Sequence, residues 1–375
     1  MLENINEYVI VYGEAENAEL NAVLAQRFAD ALGLVCLSDA SAEARCEILI
    51  GATCRKESKD AISALDLMEY TLEIANGKLI VAGAGLFSTE LAVDEAISFF
   101  AENGNLATLP LGKRDVRPTF AECDGDYRIM EYNVLVEYPG WGCEKVHNPE
   151  VEVRKEIIAA MIRAAAPDAI VLCEMFENWS EQLPSLLSPK YGCVAWKRTE
   201  DEYSNRTPIM YNTERFELLE GGYENIAILK TKNRRVVTYA VLRERQTGEK
   251  LIVFGTHFES ILKDHTPAEN EEARMAQVAL LKAVVDGVLS RHEGAVAITG
   301  DFNTGPRKPD HRAYDTLLAT LCDYENSVGK DPIVSLDQMF IGKNAEIVSS
   351  LIDTSRWVPF ASDHKPVICD IRVKE

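Results

Sequence analysis

The chain has 375 residues, 47% hydrophobic and 26% charged, which excludes disordered, collagenous and repeat-array proteins and leaves room for two domains. Asp and Glu total 60 against 39 Lys and Arg, a formal net charge of -21, the opposite of the basic face carried by a protein that grips many phosphates. Long polyanions are therefore disfavoured as substrates. The first residues lack the positive region and small-residue cleavage site of a secretory signal, no apolar run reaches the roughly 20 residues a bilayer span needs, and the odd set of nine cysteines holds no CxxC pair. The reading is a soluble cytoplasmic protein with free thiols.

Residues 1–104 read as a small α/β domain. The run YVIVYG is followed by a helical pattern (Leu20, Val23, Leu24, Phe28) that stops at Gly33. Strands are predicted at LVCLS and CEILIG, then a helix over DAISALDLM, then strands YTLEI and KLIVAGAG joined by Asn76-Gly77, a dipeptide suited to the positive dihedrals of a tight hairpin. A last helix is expected from Ser88 to Gly104, completing a βαββαββα order. This part has no histidine, since all six lie at positions 147, 257, 265, 292, 311 and 364. Residues 105–126, with two prolines and no periodicity, read as a linker.

From Tyr127 strands and helices alternate over roughly 250 residues, the pattern of one layered α/β domain. They run DYRIMEYNVL, a helix over 150–165 behind Asn148-Pro149, PDAIVLCEM, several strand-like runs to KLIVFGTHF, then a long helix opened by the capping box Thr266-Pro267-Ala268-Glu269. The strands GAVAITGDFN, VSLDQMFIG and KPVICDIRV complete it. Apolar strands in this half repeatedly end in Asn, Glu, His, Asp plus Asn, Asp, and Asp plus His. Each such residue alone could be a cap, a solvated strand end or a turn, but carboxyl ends of strands in α/β layers are where sites assemble.

Six motifs appear in order: MEYNVL with Asn133, PDAIVLCEM with Glu174, GTHFES with His257, GDFNTGP with Asp301 and Asn303, LDQMF with Asp337, and SDHKPV with Asp363 and His364. Arg274 and Gln277 add an R-x-x-Q pattern on the long helix. In this order and spacing residues 127–375 resemble the endonuclease/exonuclease/phosphatase superfamily, the deoxyribonuclease-like metal-dependent phosphoesterases. The resemblance implies a four-layer αββα sandwich and hydrolysis of a phosphoester with Mg²⁺ or Mn²⁺, ions that oxygen ligands suit. It further implies Glu174 as metal ligand, helped by Asn133 and Asp363. His364 becomes a phosphate contact or general acid/base oriented by Asp337, and His257 a second phosphate donor. Asp301 and Asn303, two residues apart, would share one face of extended backbone, Asp301 handling the water and Asn303 the phosphate.

One departure is Gln338, where the family carries a tyrosine after the aspartate. The segment NRTPIMYN resembles the family strand that carries an aromatic or basic neighbour of the phosphate, which implies Arg206 and Tyr211 as substrate contacts. Acids outnumber bases by ten up to Pro118 and by eleven beyond it, so the catalytic half is acidic too. The basic cluster KTKNRR, with Arg243 and Arg245, most simply sits on a solvated hairpin. A small or isolated phosphoester is therefore favoured over DNA or RNA, the reading being a phosphodiesterase or phosphatase acting on a small-molecule, sugar- or lipid-linked phosphate. An endonuclease or exonuclease is the alternative, and a non-catalytic interaction module on a degenerate hydrolase domain is the alternative of another class. The first hundred residues resemble the accessory α/β domain of glycoside hydrolases through EILIGAT and KLIVAGAGLFSTELAV.

Overall fold

Apolar runs such as VIVY, EILI and KLIVAG are buried on both faces, as strands covered by helices must be. In this computed structural model the described residues are 4–14, 18–136, 151–175, 177–188, 190–195, 207–229, 235–306, 311–328, 336–355 and 357–374. They fall into two units, Met1–Pro118 and Thr119–Glu375.

The first unit runs β1 (Val9–Tyr12), α1 (Ala18–Leu32), β2 (Cys36–Ser38), β3 (Glu47–Ile50), α2 (Lys56–Ser63), β4 (Glu69–Ala75), β5 (Lys78–Gly83), α3 (Leu86–Asn103) and β6 (Gly112–Asp115). The sheet order is β2-β1-β3-β5-β4-β6. Phe28 of α1 and Val93 of α3 pack on Ile10, Ile48 and Val81 from one face. Asn76 (φ 50°) and Gly77 (φ 84°) supply the left-handed pair the hairpin turn needs.

Three boundaries differ from the sequence reading. Helix α2 begins and ends four to five residues early, because Glu69 is claimed by pairing with β6 and its amide closes a turn on the Asp66 carbonyl. Helix α3 starts two residues before Ser88, whose hydroxyl accepts the Gly85 amide at 3.1 Å from inside the first turn. The segment read as a linker contains β6, whose sequence GKRD has no apolar alternation and pairs with β4 as an edge strand through its backbone.

The second unit runs β7 (Tyr127–Asn133), α4 (Val151–Ala165), β8 (Ala169–Cys173), α5 (Glu177–Leu187), β9 (Tyr191–Val194), β10 (Ile209–Asn212), β11 (Phe216–Asn225), β12 (Val236–Glu244) and β13 (Lys250–His257). It continues with α6 (Pro267–Leu289), β14 (Ala295–Asp301), α7 (Arg312–Thr320), β15 (Tyr324–Asn326), β16 (Asp337–Gly342), β17 (Ala345–Ile352), α8 (Val358–Ala361) and β18 (Val367–Val373). Two six-stranded sheets form, β17-β18-β7-β8-β10-β9 and β11-β12-β13-β14-β16-β15.

Between them Ile129, Val171, Ile209 and Cys369 of the first sheet meet Leu251, Val253, Ala297 and Met339 of the second. The outer face of the second sheet packs Phe254, Ile298 and Phe340 against Val278, Leu281 and Val285 of α6 and Leu317 of α7. Helix α5 lies against β9 and α4, and α4 against α8. This is the αββα sandwich, and no helix among the described residues is long and apolar enough to cross a membrane. The eight described cysteines are all free. Gln338, on the strand of Asp337, is buried and accepts from the Asn326 amide at 2.9 Å, which gives this departure a packing role.

Arg128 on β7 faces Asp370 on β18 and binds it twice, Nε to Oδ1 at 2.6 Å and Nη2 to Oδ2 at 2.8 Å, while its Nη1 donates to the Ala165 carbonyl at the end of α4. Burial pushes the Asp370 carboxyl up, but the Arg128 bonds and the Asp124 amide outweigh it and hold its pKa below the usual value. Removing one partner of such a buried pair strands the other charge. Asp370→Ala is expected to cost about 3–5 kcal/mol in urea unfolding at neutral pH. Because the folded pKa is depressed, the stabilisation is present above the unfolded carboxylate value near about 3.9 and is lost as pH falls through the folded one. A loss under about 1 kcal/mol would refute the pair's structural role.

Candidate active site

Strand register sets the site. His257 ends β13 beside Asp301, the last residue of β14, and Asp301 lies opposite Asp337, the first residue of β16. Partners in register share a face, so these three buried side chains form a row across the second sheet. Asn133 ends β7 and Glu174 follows β8 on the first sheet, where β7 and β8 run parallel with Asn133 beside Cys173. His364 lies between α8 and β18. At Gly300 (φ 149°) a Cβ would fall 1.8 Å from the Thr256 carbonyl oxygen, so only glycine lets β14 approach β13 this closely beside His257 and Asp301.

One amide joins the two sheets. Asn133 Nδ2 donates to Glu174 Oε1 at 3.2 Å and to Asp301 Oδ2 at 3.1 Å, while its Oδ1 accepts the Leu135 amide at 3.1 Å. The second Glu174 oxygen accepts the Val136 amide at 3.0 Å. Asn133 thus presents its nitrogen to both carboxylates and bridges Glu174 to Asp301. Leu135 (φ 56°), Glu174 (φ 59°) and Asn303 (φ 50°) are all left-handed, a strain of about 1 kcal/mol or more each, concentrated around this amide.

Two histidines of opposite character flank Asp301. His364 Nδ1 meets Asp337 Oδ2 at 2.9 Å, and its Nε2 stands 4.0 Å from Asp301 Oδ2. Burial alone would lower its pKa, but the charge and hydrogen bond of Asp337, then the charges of Asp301 and Asp363, raise it well above the ordinary value. His257 Nε2 is 3.4 Å from the same Asp301 oxygen, yet burial first, and then the positive charge of Arg235, lower its pKa well below the usual value and keep the ring neutral. Asp301 itself is pushed up to about 6 by burial and the Asp337 charge, against the pull of His364 and the Asn303 amide.

Asp301 and Asp337 of the second sheet and His364, from the segment before β18 of the first, have side-chain donor atoms all within 4.8 Å of one another. Asp363 is exposed next to His364. Asn303 departs from the expected strand geometry: β14 ends at Asp301, and Asn303 turns so that its amide donates to Asp301 Oδ1 at 2.9 Å and its Nδ2 to the Phe258 carbonyl at 3.1 Å. Arg274 and Gln277 clamp the residue two beyond His257, Arg274 through the Glu259 carbonyl and Gln277 through its amide.

Tyr211 is not brought to the cluster. It pairs with Ala169, at the end of β8 opposite Glu174, because β10 runs antiparallel to β8. Arg206 lies outside the described residues. Arg235, read as part of a solvated hairpin, is buried and pairs with Glu259 at 3.5 Å. A further residue was not anticipated. Glu131, two before Asn133 on the same face of β7, is wholly buried, and burial followed by the charges of Asp337 and Asp301 raises its pKa well above the ordinary value. A glutamate inside the otherwise apolar run of a central strand is the signal that could have found it.

Residues 130–364 match the endonuclease/exonuclease/phosphatase family. Solved structures with similar folds include a mannosyl-6-phosphatase from Bacteroides thetaiotaomicron (18% identity, TM-score 0.53, covering 66% of this chain and 99% of that one). A family protein from Bacteroides vulgatus (19%, 0.53, 66% and 99%) and the human Nocturnin catalytic domain with bound sulfate (20%, 0.51, 66% and 94%) are similar to the same extent. No curated sequence matches the chain significantly. With strand-end carboxylates, a bridging asparagine and an Asp–His pair arranged on an αββα sandwich and the family match spanning them, the chain belongs to the endonuclease/exonuclease/phosphatase family.

Proposed function

We propose that the protein hydrolyses a small or isolated phosphoester with the help of Mg²⁺ or Mn²⁺. The observation that carries the reading is Asp301, held between a neutral histidine and a charged one and bridged to Glu174. A carboxylate near a pKa of about 6 is suited to orient a water and take its proton. His364, locked by Asp337, presents Nε2 to a phosphate oxygen or to the leaving group. Neutral His257 donates a hydrogen bond without adding charge, and Asn303 keeps one N–H of its side-chain amide for a phosphate oxygen.

The residues fit a divalent cation. Glu174 lies beside Asp301 across the Asn133 amide, carboxylate oxygens of the kind hard cations take, and Asp363 adds exposed negative charge at the rim, while His364, paired with Asp337, is left for the phosphate. When bound there, the ion would neutralise non-bridging phosphate oxygens. Among family structures of similar fold, one is a mannosyl-6-phosphatase, which supports a sugar-linked phosphate as the substrate class. The net charge of -21 argues the same way against long nucleic acids.

Three measurements test this. In a screen over phosphomonoesters, phosphodiesters, lipid head-group esters and short DNA and RNA, turnover should vanish in excess chelator and return with Mg²⁺ or Mn²⁺. Full turnover in chelator would end the metal reading. Asp301→Asn, His364→Ala and Asp337→Asn should each lower kcat by about 10²-fold or more. His364→Ala combined with Asp337→Asn should cost scarcely more than His364→Ala alone, since the pair acts as a unit. Independent multiplication of the two effects, with the folded fraction unchanged, would dissolve the pair. Duplex DNA should bind weakly and with a shallow salt dependence, whereas nanomolar binding at physiological salt with a steep slope would put the nuclease reading first.

A further inference from the structure

Arg154 stands in the first turn of α4 and is completely buried. Burying a guanidinium is expensive unless its donors are used. Here they are spent on backbone carbonyls of two separate turns. Nη2 donates to Val134 O at 2.5 Å and Leu135 O at 2.8 Å, Nη1 reaches Val136 O at 3.5 Å, and Nε donates to Ala361 O at 2.9 Å.

The first turn follows Asn133 directly, and its Val136 amide fixes Glu174. The second ends α8, and the next three residues are Ser362, Asp363 and His364. Ser362 supplies a second link between the same segments: its buried hydroxyl donates to the Asn133 carbonyl at 2.6 Å and accepts the His364 amide at 3.2 Å.

We infer that Arg154 is a positioning residue whose planar fork ties the Asn133–Val136 turn to the Ala361–His364 turn and so sets the spacing between the Asn133–Glu174 pair and the Asp337–His364 pair. The left-handed Leu135 between two of the bound carbonyls shows why a clasp is needed, since that turn is intrinsically unfavourable for a branched side chain. Lysine could not substitute. Its ammonium is a compact point charge and cannot address carbonyls along separate edges of one plane as five fixed in-plane N–H donors can. The inference rests on the phosphoesterase reading for its catalytic consequence but not for its geometry.

The test uses the full chain with Arg154→Lys, Arg154→Met and Ser362→Ala. Amide hydrogen exchange by mass spectrometry, in the absence of substrate, should speed up by about tenfold in both the 134–136 and 361–364 segments of Arg154→Lys, while β13 and β14 keep their protection. On the best phosphoester found, kcat per folded molecule should fall by about tenfold or more with KM changed far less, because small misplacements of reacting groups are costly. Adding Ser362→Ala to Arg154→Lys should cost less than Ser362→Ala costs alone, because both hold the same two turns.

The inference is overturned if exchange stays unchanged in either segment or rises evenly across the unit, if kcat per folded molecule is kept, or if the two effects add in full. Failure of both Arg154 variants to fold would overturn it as well, because the arginine would then be holding the domain rather than the site. If the wild-type chain turns over no phosphoester, the proposed function fails while the exchange data still decide the role of Arg154.

Discussion

The site depends on one side-chain amide shared by carboxylates from two different sheets. Asn133 can donate to both Glu174 and Asp301 only because β7 ends level with β14 across the sandwich and because its own oxygen is occupied by the Leu135 amide, which fixes which way the group faces. Rotating the amide would place an oxygen against two carboxylates, an arrangement with no favourable contact. The strained backbone at Leu135, Glu174 and Asn303 surrounds this amide, and the surrounding structure holds all three in place.

Around that amide the electrostatics are arranged so that neighbouring groups titrate apart. Glu131, Asp301 and Asp337 are all buried within one small region, and full ionisation of the three would be expensive. Burial raises the Glu131 pKa well above the ordinary value and pushes that of Asp301 up to about 6, while Asp337 pairs with His364. His257 and His364 approach the same Asp301 oxygen from different strands, one neutral and one cationic. The difference lies in their other neighbours, since Arg235 acts on His257 and Asp337 on His364. Two residues of one type can thereby offer a neutral donor and a charged one on either side of a single carboxylate.

Much of this was legible in the sequence because strand ends carry both the topology and the chemistry. The motifs around Asn133, Glu174, His257, Asp301, Asp337 and His364 lie where apolar runs stop, and sheet closure then brings them together. The capping box at Thr266 and the Asn76-Gly77 turn were readable for local reasons that tertiary packing does not override. What escaped was decided by pairing across the sheet. Strand β6 has no apolar period to betray it. Tyr211 is a strand residue whose distance from Glu174 follows from an antiparallel register that spacing cannot give. Asn303 looked like part of a strand, but Asp301 captures its amide and ends the strand two residues sooner. The two hydrogen bonds from Asn133 to Glu174 and Asp301 were likewise not legible, since residue type does not say which end of an amide faces which neighbour.

On the proposed phosphoesterase reading, the acidic composition of the chain and the carboxylates of the site bear on the same question of substrate size. On that reading a phosphoester entering beside Glu174, Asp301, Asp337 and Asp363 meets negative charge that His364 offsets only in part, and acids outnumber bases by eleven beyond Pro118. Long nucleic acids gain most of their affinity from surface contacts, whereas a small phosphate ester gains its affinity inside the site. Inside, the neutral His257, the remaining N–H of Asn303 and the charged His364 are donors that one phosphate group could use together, and they lie within a few ångströms of the carboxylate suited to handle water. On the proposed reading these donors serve one phosphate, which is the ground for preferring an isolated ester to a chain of them.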